Sequence, residues 1–221
     1  MKSEEFEYRC GFVALLGRPN VGKSSLINTL LKEKVAAVSS KPQTTRNAIR
    51  CIMTTAKEQI IFVDTPGIHK PKNVLGDFML NEAEKALSQV DLICFVVEAG
   101  DSRIREEEDL IMEILSKCGL PVVLAVNKVD KLADPELFWK TVEMYETRIM
   151  PAAVVPISAK KGTNIDVFID TLSKMLPIQP PIYPADMLMD TTERFLAAEV
   201  IREKILKFTD QEVPHGTAVV V

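Results

Sequence analysis

The stretch Gly17-Arg18-Pro19-Asn20-Val21-Gly22-Lys23-Ser24 limits what this chain can fold into more than any other. It fits the pattern G-x-x-x-x-G-K-[ST]. Phe12-Val13-Ala14-Leu15-Leu16 precedes it as an apolar strand. Ser25-Leu26-Ile27-Asn28-Thr29-Leu30-Leu31-Lys32 follows with apolar residues at helical spacing. A strand, a glycine-bounded loop and a helix in that order aim backbone N–H groups and a helix N-terminus at one point. Such a point favours a polyphosphate. A plain glycine turn with an exposed lysine would carry the same letters, but not both flanks.

The 221 residues suffice for one full α/β domain and a remainder. Hydrophobic residues make up 47% and charged residues 26%, so the chain reads as a soluble globular protein. A net charge of −4 gives no support to polyanion binding by bulk charge. Cys10, Cys51, Cys94 and Cys118 form no C-x-x-C pair and have no neighbouring histidine, which speaks against metal or disulfide use. Reduced thiols and the charged start Met1-Lys2-Ser3-Glu4-Glu5, with no signal-peptide core, predict a cytoplasmic protein. No apolar run approaches a membrane span.

Taken in order, residues 33–47 read as a long polar loop of the kind that is functional or mobile. Residues 48–54 and 59–63 are strands joined by the turn 55–58, a hairpin and so one antiparallel pair. Asp64-Thr65-Pro66-Gly67 closes the second strand, and an irregular segment follows to Asn73. Helical patterns over 75–89, 106–117, 135–150 and 164–176 alternate with apolar strands over 91–97, 121–126 and 152–157. This predicts an α/β fold: a doubly wound, mostly parallel, six-stranded sheet. Ligands bind such sheets beyond the C-terminal strand ends, where all the polar clusters fall. The proline-dense 177–184 reads as a stiff linker between a domain over 1–176 and a fragment over 185–221. The fragment holds an amphipathic helix over 191–208, with Phe195, Leu196, Val200, Ile201, Ile205 and Leu206 apolar, and a strand from 213. A helix and one strand bury little by themselves, so the rest of a second domain is expected to be absent from this chain.

The loop chemistry then selects a nucleotide. Lys23 should reach the β- and γ-phosphates, and the Ser24 hydroxyl should bind Mg²⁺. Asp64 fits the carboxylate that holds the metal, directly or through water. Gly67 brings a backbone N–H to the γ-phosphate without Cβ interference. Asp130, in Asn127-Lys128-Val129-Asp130, can accept both guanine N1–H and the N2 amino group, a donor pair that adenine lacks. Asn127 can tie this loop to the phosphate loop, and the Lys128 stem can lie across the base. Ser158-Ala159-Lys160 would offer the Ala159 N–H to guanine O6. These residues, with Gly17 to Ser25 and Asp64 to Gly67, form the predicted GTP/GDP site. His69 and His215 lie in loop-like contexts and are read as non-catalytic. Trp139 is read as packing. Arg103, Arg105 and Glu106-Glu107-Glu108 are read as a solvated face and helix start.

Three segments together resemble the Era family of bacterial GTPases: Gly17 to Asn28, Pro42-Gln43-Thr44-Thr45-Arg46, and Asp64-Thr65-Pro66-Gly67-Ile68-His69. The tail, with Glu193-Arg194-Phe195-Leu196, Glu199 to Lys204 and Glu212-Val213-Pro214-His215, is similar to the start of that family's KH-type RNA-binding domain. The resemblance implies a P-loop GTPase domain in which 33–47 is switch I and 65–75 is switch II. Thr45, ahead of Thr44, would be the switch threonine on Mg²⁺. Ile68 stands where Ras-like proteins carry the water-orienting glutamine, so intrinsic hydrolysis should be slow. Asn20 matches the asparagine that ligates K⁺ in related GTPases. Lys23, Thr45, Gly67 and Asn20 are thus the expected catalytic set.

The resemblance further implies 16S ribosomal RNA and the small ribosomal subunit as partners, with assistance in subunit maturation. It leaves room for a peripheral contact with the inner face of the cell membrane. Residues 185–221 carry seven Asp/Glu against four Arg/Lys, and the G-x-x-G loop of KH domains does not occur after the linker. This chain should therefore bind guanine nucleotide well and RNA poorly. The alternatives are a GTP-gated module without catalysis, or a related GTPase serving tRNA modification or membrane transport.

Overall fold

The computed structural model describes residues 7–33, 49–64, 87–208 and 219–221. Six strands form one sheet: β1 (Arg9–Leu16), β2 (Ile49–Thr54), β3 (Glu58–Asp64), β4 (Leu92–Glu98), β5 (Val122–Asn127) and β6 (Ala153–Pro156), in the order β2-β3-β1-β4-β5-β6. Only β2 and β3 run antiparallel, as the short turn between them demands. The remaining neighbours are parallel. β4 and β5 are almost wholly apolar because helices cover both faces.

The helices are α1 (Lys23–Leu31), α2 (Glu106–Cys118), α3 (Glu136–Ile149), α4 (Ile165–Met175) and α5 (Glu193–Phe208). Side chains of α1 and α4, including Leu26, Ile27, Leu30, Phe168 and Leu172, pack on one sheet face against Val13, Leu15, Ile60 and Phe62. Ile111, Met112 and Leu115 of α2 and Val142 and Tyr145 of α3 pack on the other, against Leu16, Phe95 and Val97. Phe95 and Tyr145 meet edge to face at 5.6 Å, worth about 0.5–1.5 kcal/mol beyond their burial. Cys10, Cys51 and Cys94 are buried, and no described cysteine is in a disulfide.

β1 lies between β3 and β4, so successive strands are added first on one side of it and then on the other. The loops leaving β1, β4 and β5 therefore converge at one edge. The opposite end is closed differently. The proline-dense segment does not leave the sheet. Cys10 N–H donates to Pro177 O at 3.1 Å, and Gln179 N–H to Tyr8 O at 3.1 Å. Ile52 N–H donates to Leu188 O at 2.8 Å and Asp190 N–H to Arg50 O at 3.1 Å. The segment thus runs beside the start of β1, ahead of where β4 begins to pair with it, and then caps the outer edge of β2, whose backbone groups would otherwise face solvent. Tyr183 and Met187 cover Cys10, Ile52 and Ile61, while Met189 and Phe195 pack on the other face.

The centre of this strap is Gln59, fully buried on β3. Its Nε2 donates to Tyr183 O (2.8 Å) and Thr54 Oγ1 (3.0 Å), and its Oε1 accepts from Ile182 N (2.8 Å) and Tyr183 N (2.9 Å). On α5, Val200, Ile201 and Phe208 are exposed, so its apolar side is only partly used. Most of the predicted helix 75–89, and most of the strand expected over 213–221, lie outside the described residues; 219–221 are not in a strand.

Candidate functional site

Two glycines are dictated by crowding. A Cβ on Gly17 would lie 2.5 Å from Val96 O, and one on Gly22 would lie 2.4 Å from Asn127 Nδ2. Gly22 also has φ +109°, which disfavours any side chain. Gly22 is the N-cap of α1, whose first turn holds no acidic residue. By contrast, α2 begins Glu106-Glu107-Glu108-Asp109, and Glu108 Oε2 accepts the Arg105 N–H at 2.9 Å. One helix start supplies its own anions; the other presents bare N–H groups to an external one.

Lys23 is 8% exposed, and its Nζ donates to Gly17 O (2.7 Å) and Arg18 O (3.3 Å). Burial lowers its pKa to about 8, opposed by Asp64 and aided by Arg18. The ammonium is thus poorly solvated, which favours an arriving anion. Asp64 is buried at the end of β3, opposite Leu15 in register, and Ser24 lies in the first turn of α1. A hydroxyl and a carboxylate beside a phosphate cradle form the oxygen donor set that suits Mg²⁺.

The second loop converges on the first through one side chain. Asn127 Nδ2 donates to Val21 O (2.8 Å), and Asn127 Oδ1 accepts from Lys128 N (2.8 Å) and Ala159 N (2.9 Å). Lys128 has φ +68°, and its Nζ donates to Asn20 O at 2.9 Å. Asp130 is exposed; Ser158 Oγ donates to its Oδ1 at 2.5 Å and holds the carboxyl below its usual range. Thr29 Oγ1, donating to Ala159 O at 2.7 Å, joins α1 to the same loop. The Ala159 N–H expected at guanine O6 is engaged by Asn127, so a base would have to compete for it. Lys160 is exposed.

The Arg18 side chain, of which the sequence predicts nothing, points to Asp101 (2.6 Å), Glu98 (3.0 Å) and Glu108 (3.3 Å). Two expectations are corrected. Glu108 therefore belongs to the interior and not to a solvated face. Trp139, expected to pack, is 68% exposed and touches Phe138 edge to face at 5.0 Å. Sequence reasoning misses Glu98, Asp101 and Thr29. Glu98 alone has a signal, a carboxylate closing an apolar strand. Thr44, Thr45, Thr65, Pro66, Gly67, Ile68, His69 and His215 lie outside the described residues. Among the described residues no group of three or more His, Cys, Asp or Glu forms a metal cluster, and no helix is long and apolar enough to cross a membrane.

A parallel sheet with a phosphate cradle at its switch point and a carboxylate-bearing second loop defines a P-loop GTPase domain. The 50S ribosome-binding GTPase family model matches residues 12–128. GTPase Era of Clostridium botulinum (strain Eklund 17B / Type B) is 46% identical over 96% of this chain and 71% of its own length. That of Clostridium beijerinckii is 47% identical over 96% and 70%. An Aquifex aeolicus Era variant bound to GDP.AlF4⁻ superposes with TM-score 0.87 at 38% identity, covering 93% of this chain and 70% of that one. Era in complex with MgGDPNP and nucleotides 1506–1542 of 16S ribosomal RNA gives 0.88 at 38%, covering 94% and 70%. The chain belongs to the Era family of GTPases.

Proposed function

We propose that this chain is a GTP-hydrolysing switch that serves small-subunit ribosome assembly through 16S rRNA, as its rRNA-bound relative suggests. The observation that carries the nucleotide reading is Asn127, which ties the phosphate loop, the base loop and the Ser158 loop together, with Asp130 held beside them by Ser158. Backbone N–H groups of Gly17 to Ser25 and the Lys23 ammonium would hold the phosphates. Asp130 would select guanine. Ser24 and Asp64, with Thr45 from outside the described residues, would hold Mg²⁺, which when bound neutralises charge between the β- and γ-phosphates. Thr65, Pro66 and Gly67 would follow the γ-phosphate.

With Ile68 where a glutamine could orient water, turnover should be slow alone. Asn20 is the residue suited to recruit K⁺. Its backbone oxygen is engaged by Lys128, so the ion would use the side-chain amide oxygen. Residues 1–176 are proposed as the GTPase domain, 177–184 as the connection and 185–221 as the start of a KH-type domain, in a cytoplasmic protein. Peripheral membrane association has no supporting observation and is not proposed.

The test is GTP turnover in KCl and NaCl at matched ionic strength, with and without the 3′ segment of 16S rRNA, for this chain and one extended past Val221. Faster turnover in KCl, and RNA binding only by the extended chain, are expected. Hydrolysis undetectable in a single turnover would leave a binding module; equal rates in both salts would remove the K⁺ role; tight RNA binding by the 221-residue chain would overturn the expectation that it binds RNA poorly.

A further inference from the structure

β4 ends on Glu98, which pairs in register with Asn127 of β5. One oxygen of Glu98, Oε2, meets two cations: Lys128 Nζ at 2.8 Å and Arg18 Nη2 at 3.0 Å. Lys128 belongs to the base loop and Arg18 to the phosphate loop. Arg18 is in turn fixed by Asp101 and by buried Glu108, and Asp101 is bridged by Arg105 at 2.9 Å. The result is a chain of charges running from α2 to the base loop: Glu108, Arg18, Glu98, Lys128. Three carboxylates face three cations, and the Arg18 and Lys128 side chains are only 12% and 22% exposed. At this burial, removal of one partner costs more than at a surface ion pair, because it leaves the others underpaired.

The backbone of Lys128 sits in the left-handed region, and its ammonium is held by Glu98 and the Asn20 carbonyl. A lysine stem has four rotatable bonds, and fixing it before the ligand arrives removes that ordering cost from binding.

We propose that Glu98 is a positioning residue for guanine-nucleotide binding, which acts by holding the Lys128 side chain across the base. The proposal rests on the nucleotide reading given above. It separates Glu98 from Asp130: Asp130 reads the N2 amino group, whereas a stem laid across the base plane does not distinguish bases that share that plane.

The experiment is equilibrium binding of fluorescent GDP and inosine diphosphate, which lacks the N2 amino group, to the whole chain and to Glu98→Gln, Lys128→Met and the double variant. Glu98→Gln should weaken both ligands by about tenfold and leave their ratio unchanged. In the Lys128→Met background the same change should cost less than about twofold, because the group it acts through is gone. Single-turnover hydrolysis at saturating GTP should stay within about threefold of wild type, since uniform binding is what is lost. Exposed Glu113→Gln serves as the control.

Unchanged affinity in Glu98→Gln, whatever its melting temperature, overturns the proposal. Additive losses in the double variant overturn it as well, since a merely structural role would weaken binding in either background. If Glu98→Gln does not fold, Glu98→Asp decides. Its reach is shorter by one methylene, so it must weaken binding when Lys128 is present and have no effect in the Lys128→Met background. A wild-type chain that binds no GDP would instead sink the nucleotide reading itself.

Discussion

Two buried side-chain amides close the two ends of this sheet. At the C-terminal strand ends, Asn127 joins Val21, Lys128 and Ala159. Near the start of β3, Gln59 joins Thr54, Ile182 and Tyr183. Both are almost completely buried, and both satisfy carbonyl and N–H groups of loops distant in sequence. Chemically they do the same work. The groups around Asn127, however, include the start of α1 with no side-chain cap, a poorly solvated ammonium and an exposed carboxylate, which a ligand can complete. The groups around Gln59 are a backbone segment already complete. A buried amide therefore marks a joint; whether the joint is a binding site depends on what remains unsatisfied around it.

The comparison can be broken most forcefully at Asn127. Asn127→Ala removes three hydrogen bonds at the centre of the site and should cost about 10²–10³ in GDP affinity, read by fluorescent-nucleotide titration. Asp130→Asn alters one contact and should move preference towards xanthine over guanine diphosphate by about 10²-fold or more, read by competition. Gln59→Leu should act only on the fold. It strands Ile182 and Tyr183 donors and the Tyr183 carbonyl and should lower unfolding free energy by about 2–4 kcal/mol in denaturant, leaving GDP affinity within about twofold. If Gln59→Leu instead impaired nucleotide binding selectively, the two ends would be coupled and the contrast would fail.

A smaller effect tests the cradle's charge. The folded-state pKa of Lys23 is lowered from 10.5 to about 8 by burial. Between those values the unfolded chain holds the proton and the folded chain does not, so stability of the nucleotide-free protein should rise with pH across that window. GDP affinity should move the other way, falling by at most about tenfold per pH unit above pH 8, because binding must then recruit a proton. Lys23→Met should flatten both slopes, read by melting curves and titrations from about pH 7 to 10.

Much of the cradle was legible because its chemistry imposes spacing. Gly17 and Gly22 are required by contacts with Val96 and Asn127, and Lys23 is buried against the carbonyls of Gly17 and Arg18, so the pattern survives as letters. The sheet was legible from alternating apolar runs, and the antiparallel β2–β3 pair from its short turn. The strap was not: Gln59 is one polar residue in an apolar strand, and nothing local says that Tyr183 will reach it. The Arg18 network was hidden for the same reason. Glu108 sits in an acidic run that looks solvated, and nothing local says that it will be buried against Arg18. Trp139 failed in the opposite sense, an aromatic residue at helical spacing that the fold leaves outside.

The most direct measurement is an equilibrium titration of this chain with GDP and, by competition, with ADP in Mg²⁺ buffer. The arrangement of Asn127, Asp130 and Ser158 predicts that GDP binds at least about 10³-fold more tightly than ADP. Affinities equal within about tenfold would contradict the assignment of the second loop to guanine.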